Sequence, residues 1–354
     1  MTTIKVVHNY LKPLAILLLA LPLTAASDQV RIIQSNAAGD RIHILDSATN
    51  KVVGEIKGVE AVHGVAASPD GSRIYFSSEA DETFDVADAK TLEVIKKIPL
   101  SGRPNNIAMS PDGRRVYVGI RQKVGDNPGV ADVIDTASLS KIKSIRTEGP
   151  VHNLYVTPDG KNVVAGDASA HGYVSVLDTE KDAPAWSVQL GTNIRPMAIS
   201  KNADGSTRSV FVQIGDYNGF VVVDFQTRKE VARITHPKLT PGRAAIPTGS
   251  SESHGIGVTA DQKTLVVCSR LNNALYSYSL PDLKLSGTSY LSGKGCAWVT
   301  LTPDGKRAYV ADPVTNNTLV VDIPSMKEVA KIAVGQVPKR NYTMVIPAGR
   351  LGTQ

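Results

Sequence analysis

Short apolar runs with strand-like alternation recur along most of the chain, and turn chemistry separates them at regular intervals. Val65–Ala67 leads into Ser68-Pro69-Asp70-Gly71, and Arg73–Phe76 follows. The same tetrapeptide, or its Thr form, stands at Ser110–Gly113, Thr157–Gly160 and Thr302–Gly305, with degenerate copies at Ser200–Gly205 and Thr259–Gln262. Proline presets φ and glycine accepts a positive φ, so each copy predicts a strand, a tight turn and a second strand. A second marker alternates with the first. Apolar runs end at Asp46, Asp88, Asp135, Asp178, Asp224 and Asp322, with Ser279 in the matching place, 42 to 55 residues apart.

A repeat of this length holding four short strands predicts a β-propeller blade. The Asp marker counts seven units and the Pro-Asp-Gly marker six, with the missing seventh falling near Ile346. The mismatch is explained if the N-terminal strands around Ile32, Ile44 and Val53 share one blade with the C-terminal run after Asn341. The expected fold is therefore all-β: a seven-bladed propeller of four-stranded antiparallel blades, closed by its two ends so that no sheet edge is left open.

Tyr117-Val118, Tyr309-Val310, the run Asn316–Asp322 and the Pro-Asp-Gly turns resemble the bacterial YVTN-type seven-bladed propeller repeat. The resemblance spans nearly the whole chain after residue 26. It implies the fold strongly and function weakly, because relatives include surface-layer proteins, lactonases and haem-d-type nitrite reductase propellers.

Residues 1–26 read as a secretory signal peptide. Lys5 and Lys12 precede the apolar run Leu14–Leu23, and Thr24-Ala25-Ala26 supplies small residues for cleavage after Ala26. The run is too short for a membrane span of about 17–25 residues. One propeller domain over 27–354, resident in a periplasm or secreted, is the expectation. Removing the two lysines lowers the net charge from +6 to 6 − 2 = +4, which gives no reason to expect nucleic acid as a partner. A closed ring needs no second subunit, so a monomer is expected.

The repeat register also yields candidate chemistry. The residue five before each turn Ser or Thr opens the first strand of its blade, near the central axis on the face here called the top. Those residues are His63, Asn105, His152, Arg195, His254 and Ala297, with Asn341 in the closing blade. Three of the six histidines after residue 26 occupy this one position, in alternate blades. Imidazoles converging on an axis could hold zinc, copper or iron with an open position. Equally, His and Asn near a propeller axis can satisfy loop amides. The ends of the second strands add Glu79, Arg121, Asp167, Asp216, Arg270 and Asp312, with Asn36 in the closing blade.

Three functional readings follow. In the first, the top mouth binds a small molecule, a metal or an envelope protein, with Asn105, Arg121, Arg195, Asp216, Arg270 and Asp312 as ligand contacts and no turnover. In the second, a metal on His63, His152 and His254 hydrolyses a lactone or similar ester, with Glu79 or Asp167 as base. In the third, which rests on the resemblance to haem-d-type propellers, one histidine is an axial ligand of a non-covalent haem and Arg195 clamps a carboxylate. A covalent c-type haem is excluded, because no Cys-x-x-Cys-His occurs. The two cysteines, Cys268 and Cys296, fall near the top of neighbouring blades and form a disulfide candidate in an oxidising compartment. Long connections at 122–129, 168–172 and 236–253 lie on the same face.

Overall fold

The computed structural model describes residues 1–3, 27–122, 129–246 and 251–348. The expected signal peptide thus lies almost entirely outside the described residues, as do the centre of the 122–129 connection and part of the 236–253 connection. The described residues form seven four-stranded antiparallel sheets and no helix. None of their segments is a helix long and apolar enough to cross a membrane.

Six blades are continuous in sequence: one from Val62 to Pro99, two from Arg103 to Arg146, three from Val151 to Gln189, four from Ile194 to Thr235, five from Ser253 to Tyr290 and six from Val299 to Ala333. Blade seven joins the ends: the strand Pro338–Ile346 pairs with Gln29–Asn36, which pairs onward through Arg41–Asp46 to Lys51–Lys57. Gln29 faces Ile346 and Gln34 faces Asn341 in that closing ladder. The ring closes as the repeat count requires.

The two markers have clear local causes. In blade one the Ser68 hydroxyl donates to Asp70, whose carboxylate in turn accepts from the Ser72 amide, while Gly71 takes φ 69°. The Asp that ends the third strand in six of the seven blades caps the next turn, as where Asp46 accepts from the amides of Ala48 and Thr49, Asp88 from Lys90 and Thr91, and Asp178 from Glu180 and Lys181. These carboxylates replace turn amides' lost ladder partners.

The core is a set of apolar layers between blades. Ile33 packs toward blade one, whereas its neighbour Ile32 packs against Tyr309 and Val320 of blade six. Tyr75 likewise faces blade two while Ile74 and Phe76 face blade seven. Middle strands are buried on both sides, so they read as nearly continuous apolar runs, and the outermost strands carry the charged residues.

Each inner strand meets the inner strands of both neighbouring blades around the axis. At the top of five of them the register breaks, over His63-Gly64, Asn105-Asn106, His152, Arg195-Pro196 and His254-Gly255. Such bulges unpair the ladder and re-aim side chains. The freed backbone groups are stitched to neighbouring blades. Ser35 donates to His63 O, Ser77 to Asn105 O and Asn106 to His152 O, while the Gly255 amide donates to the Gln213 side chain.

Gly255 shows how tight this ring is. Its φ is +112°, and a Cβ there would lie 1.9 Å from the Ala297 carbonyl oxygen of the next blade. Gly255→Ala is therefore expected to destabilise the fold by about 3 kcal/mol or more. Urea unfolding measures it, and a change under about 1 kcal/mol would contradict this packing.

Candidate functional site at the top mouth

The bulges deliver the residues that the repeat register singled out. His63, Asn105, His152, Arg195, His254, Ala297 and Asn341 are all buried at the mouth end of the inner strands. The three imidazoles converge: His63 and His152 have ring centroids 6.4 Å apart, and His152 and His254 are 5.7 Å apart. Serine, asparagine and glutamine side chains do the stitching described above, without the imidazole rings.

The ring in their midst was not anticipated. Trp298 lies 6.3 Å from His63, 6.2 Å from His152 in a stacked arrangement, and 4.7 Å from His254 edge to face. Blade six departs from the repeat here. Its inner strand begins only at Val299, after an irregular segment, so Trp298 occupies the place that register assigned to Ala297. Arg340 lies over Trp298 at 5.1 Å and over Tyr155 at 4.9 Å, and its NH1 donates to the Tyr155 hydroxyl at 3.3 Å. A cation sandwiched between two aromatic faces is held without a carboxylate.

The histidines differ in what holds them. The His63 Nδ1–H donates to the Glu79 carboxylate, which Arg103 also grips through Nε and NH2. Burial pushes the Glu79 carboxyl up, but His63 and Arg103 outweigh it and bring the pKa down to about 2. Burial holds His63 below the usual histidine value despite Glu79, so the ring is neutral and its lone pair sits on Nε2. At His152 the Asn153 side-chain amide donates to Nδ1 at 2.8 Å, which places the proton on Nε2. The Nδ1 of His254 is buried and has no hydrogen-bond partner among the described residues. Burial, and then neighbouring cations and imidazoles, hold both rings well below the ordinary value.

These shifts fix a pH dependence. A histidine with a depressed folded-state pKa lets the unfolded chain bind more protons below about pH 6.5, so stability is full above that pH and is lost as pH falls. His236, buried beside Tyr278 and lowered to about 3, adds in the same direction. Each such histidine contributes up to about 1.4 kcal/mol per pH unit. Urea midpoints at pH 7.5 and 5 are expected to differ clearly; equal midpoints would contradict neutral buried imidazoles.

The mouth is electropositive. Burial lowers the Arg195 pKa to about 10, with Arg121 and Arg270 adding and Asp216 opposing. Burial also lowers Lys339, where Glu79 opposes and Arg270, Arg121 and Arg195 add. These four cations therefore share one field, and the Arg340 stack lies beside it. Several buried polar atoms here have no partner among the described residues: Arg270 Nε, Trp298 Nε1, Asn105 Nδ2 and Asn341 Oδ1. Buried polar atoms without partners mark a place where a ligand's own polar groups fit.

Other expected roles change. Among the described residues no group of three or more His, Cys, Asp or Glu is arranged to share a metal ion. His63, His152 and His254 thus converge without forming a three-imidazole metal cage, with Trp298 packed among them. Glu79 is spent on His63 and Arg103 and is too acidic for a general base. Asp167 accepts from the Ser169 amide and hydroxyl, and Asp312 accepts from the amides of Lys294, Val314 and Thr315. Both carboxylates cap loops. Asn36 bonds His43 and Arg41 O within its own blade. Cys268 and Cys296 come together as expected from adjacent blades, but both are free, fully buried thiols.

The comparisons with known proteins bear on the same mouth. The family described as Cytochrome D1 heme domain matches residues 26–155, less than half of the chain. That segment carries His63, Glu79, Arg103, Asn105, Arg121 and His152. No curated protein sequence matches. Among solved structures, Kuenenia stuttgartiensis hydrazine synthase aligns with a TM-score of 0.70 at 21% identity, covering 87% of this chain and 99% of that one. The dihydro-heme d1 dehydrogenase NirN, solved in complex with DHE, aligns with a TM-score of 0.58 at 19% identity, covering 88% of this chain and 74% of that one. At these identities the two structures show a shared fold, and the family match adds a similarity to haem-d1-type propellers over residues 26–155.

Proposed function

We propose that the protein is an exported propeller that binds a non-covalent haem of the d1 type in its top mouth. The carrying observation is the pairing of one neutral imidazole with a cation cluster centred on the buried Arg195. His63 is oriented by Glu79 and presents the Nε2 lone pair, the state an axial ligand needs. Arg121, Arg195, Arg270 and Lys339 suit the carboxylate substituents of a tetrapyrrole, and Arg forks match carboxylates in pairs. The Trp298 Nε1–H, unpartnered among the described residues, is a donor for a polar group of the pigment. The donor set therefore fits the group, and the family match supports the choice of haem over other anions.

Such a haem would supply redox and ligand-binding chemistry at its iron. The chain's own residues bind and orient it. Glu79 fixes the His63 tautomer, the cations neutralise carboxylates in a buried site, and the His152 Nε2–H is a donor that can hold an anion or an oxygen atom. The partners of Glu79 and Asp167 favour this reading over a hydrolase that would use either as base.

Titration of the purified chain with haem d1, followed by its visible spectrum, tests the reading. One equivalent is expected to bind tightly, and the carboxylate-esterified pigment about 100-fold or more weakly. Equal affinities, or no spectral change, would overturn it.

A further inference from the structure

The chain has two cysteines, and the fold places both in one apolar layer between blades five and six. Cys268 is fully buried in the strand Thr264–Ser269, and Cys296 is fully buried in the irregular segment before Val299. Burial, and after it the neighbouring Cys296, push the Cys268 thiol well above its ordinary pKa. The Cys296 thiol also donates to the carbonyl of Ser269, the residue after Cys268, at 3.2 Å. The segment that carries Cys296 makes few ladder bonds of its own. Its fixed points are the Lys294 amide on Asp312, the Asn273 side chain on Gly293 O, and the Ala297 amide on Ala311 O. Two residues beyond Cys296 this segment delivers Trp298 into the mouth.

We propose that Cys268 and Cys296 are a redox pair whose oxidation to a disulfide ties this segment to blade five and fixes Trp298 among the histidines. The oxidant is a disulfide, such as glutathione disulfide or a disulfide-bearing protein. Cys296, on the less constrained segment, gives up its proton and attacks one sulfur of the oxidant, which expels a thiolate. The Cys268 thiolate then displaces the remaining oxidant sulfur from Cys296. One S–S bond forms in the protein and one breaks in the oxidant. Two electrons and two protons leave with the oxidant as two thiols. The pair acts on the mouth through Trp298 and does so whether or not a haem is bound.

The test uses the full chain carrying Trp186→Phe, so that Trp298 is the one remaining tryptophan. The protein is refolded with or without glutathione disulfide, denatured, and labelled with N-ethylmaleimide. Mass spectrometry is expected to show no label after oxidation and two labels after reduction. Acrylamide quenching of Trp298 is expected to fall about two-fold on oxidation, and this response is expected to vanish in Cys296→Ser. Two labels after refolding in oxidant would overturn the pair. A disulfide that leaves Trp298 quenching unchanged would overturn its coupling to the mouth.

Discussion

Replacing His63 with alanine is expected to weaken haem binding by at least about 100-fold, because removing even a residue that orients a metal ligand costs 10–100-fold. The fold should survive the change. His63 contributes its backbone carbonyl to the Ser35 stitch, which the substitution keeps, and Glu79 retains Arg103. Glu79→Gln should fall between the two, since an amide can still meet Nδ1 but no longer favours the same tautomer. His152→Ala should leave most of the affinity and change the spectrum of the bound pigment instead, because its Nε2 carries a proton. An equal loss for His63→Ala and His152→Ala would remove the distinction drawn from their Nδ1 partners.

Arg195→Met is expected to act in opposite directions on stability and on binding. Arg195 is protonated in both the folded and the unfolded chain at neutral pH, yet its folded pKa is lowered to about 10 by burial and by Arg121 and Arg270. A cation lowered in this way is destabilising at every pH below its folded pKa, and the cost is relieved only as pH rises through about 10. A methionine keeps much of the volume and removes the charge. The ligand-free protein should therefore gain about 1–3 kcal/mol. Binding of a carboxylate-bearing pigment should fall by roughly 30- to 1000-fold, as expected when one member of a buried charge pair is lost. Thermal melts and the spectral titration read the two effects on the same sample. A variant that is less stable and binds equally well would contradict an electropositive binding mouth.

The fold was legible because its markers are local turn chemistry. Ser68–Gly71 and Asp46 each settle their own hydrogen bonds within a few residues, so their spacing reports the blade directly. The histidine ring was legible for the same reason: a fixed offset from a fixed turn maps onto one height at the axis. What escaped the register lies where a blade breaks the pattern. Blade six starts its inner strand late, which exchanges Ala297 for Trp298. Blade seven shifts register between Gln34 and Asn36, opposite Lys339 and Arg340, so two cations reach the mouth that the offset did not count. Trp298 was visible as one of only two tryptophans, beside the single apolar residue of the ring. The charged second ring divided for a reason no spacing reveals. Asp167 and Asp312 found loop amides close by, while Glu79 found an imidazole and Arg121 and Arg270 face the mouth.

The central claim is that His63, on the mouth side of blade one, holds the iron of a non-covalent haem. A crystal structure of the chain loaded with haem d1, with anomalous data at the iron edge, measures this directly. An iron peak within bonding distance of His63 Nε2, with the pigment's carboxylates on Arg121, Arg195, Arg270 or Lys339, is the expected result. An iron peak elsewhere on the disc, or on His152 with His63 left uncoordinated, would contradict it.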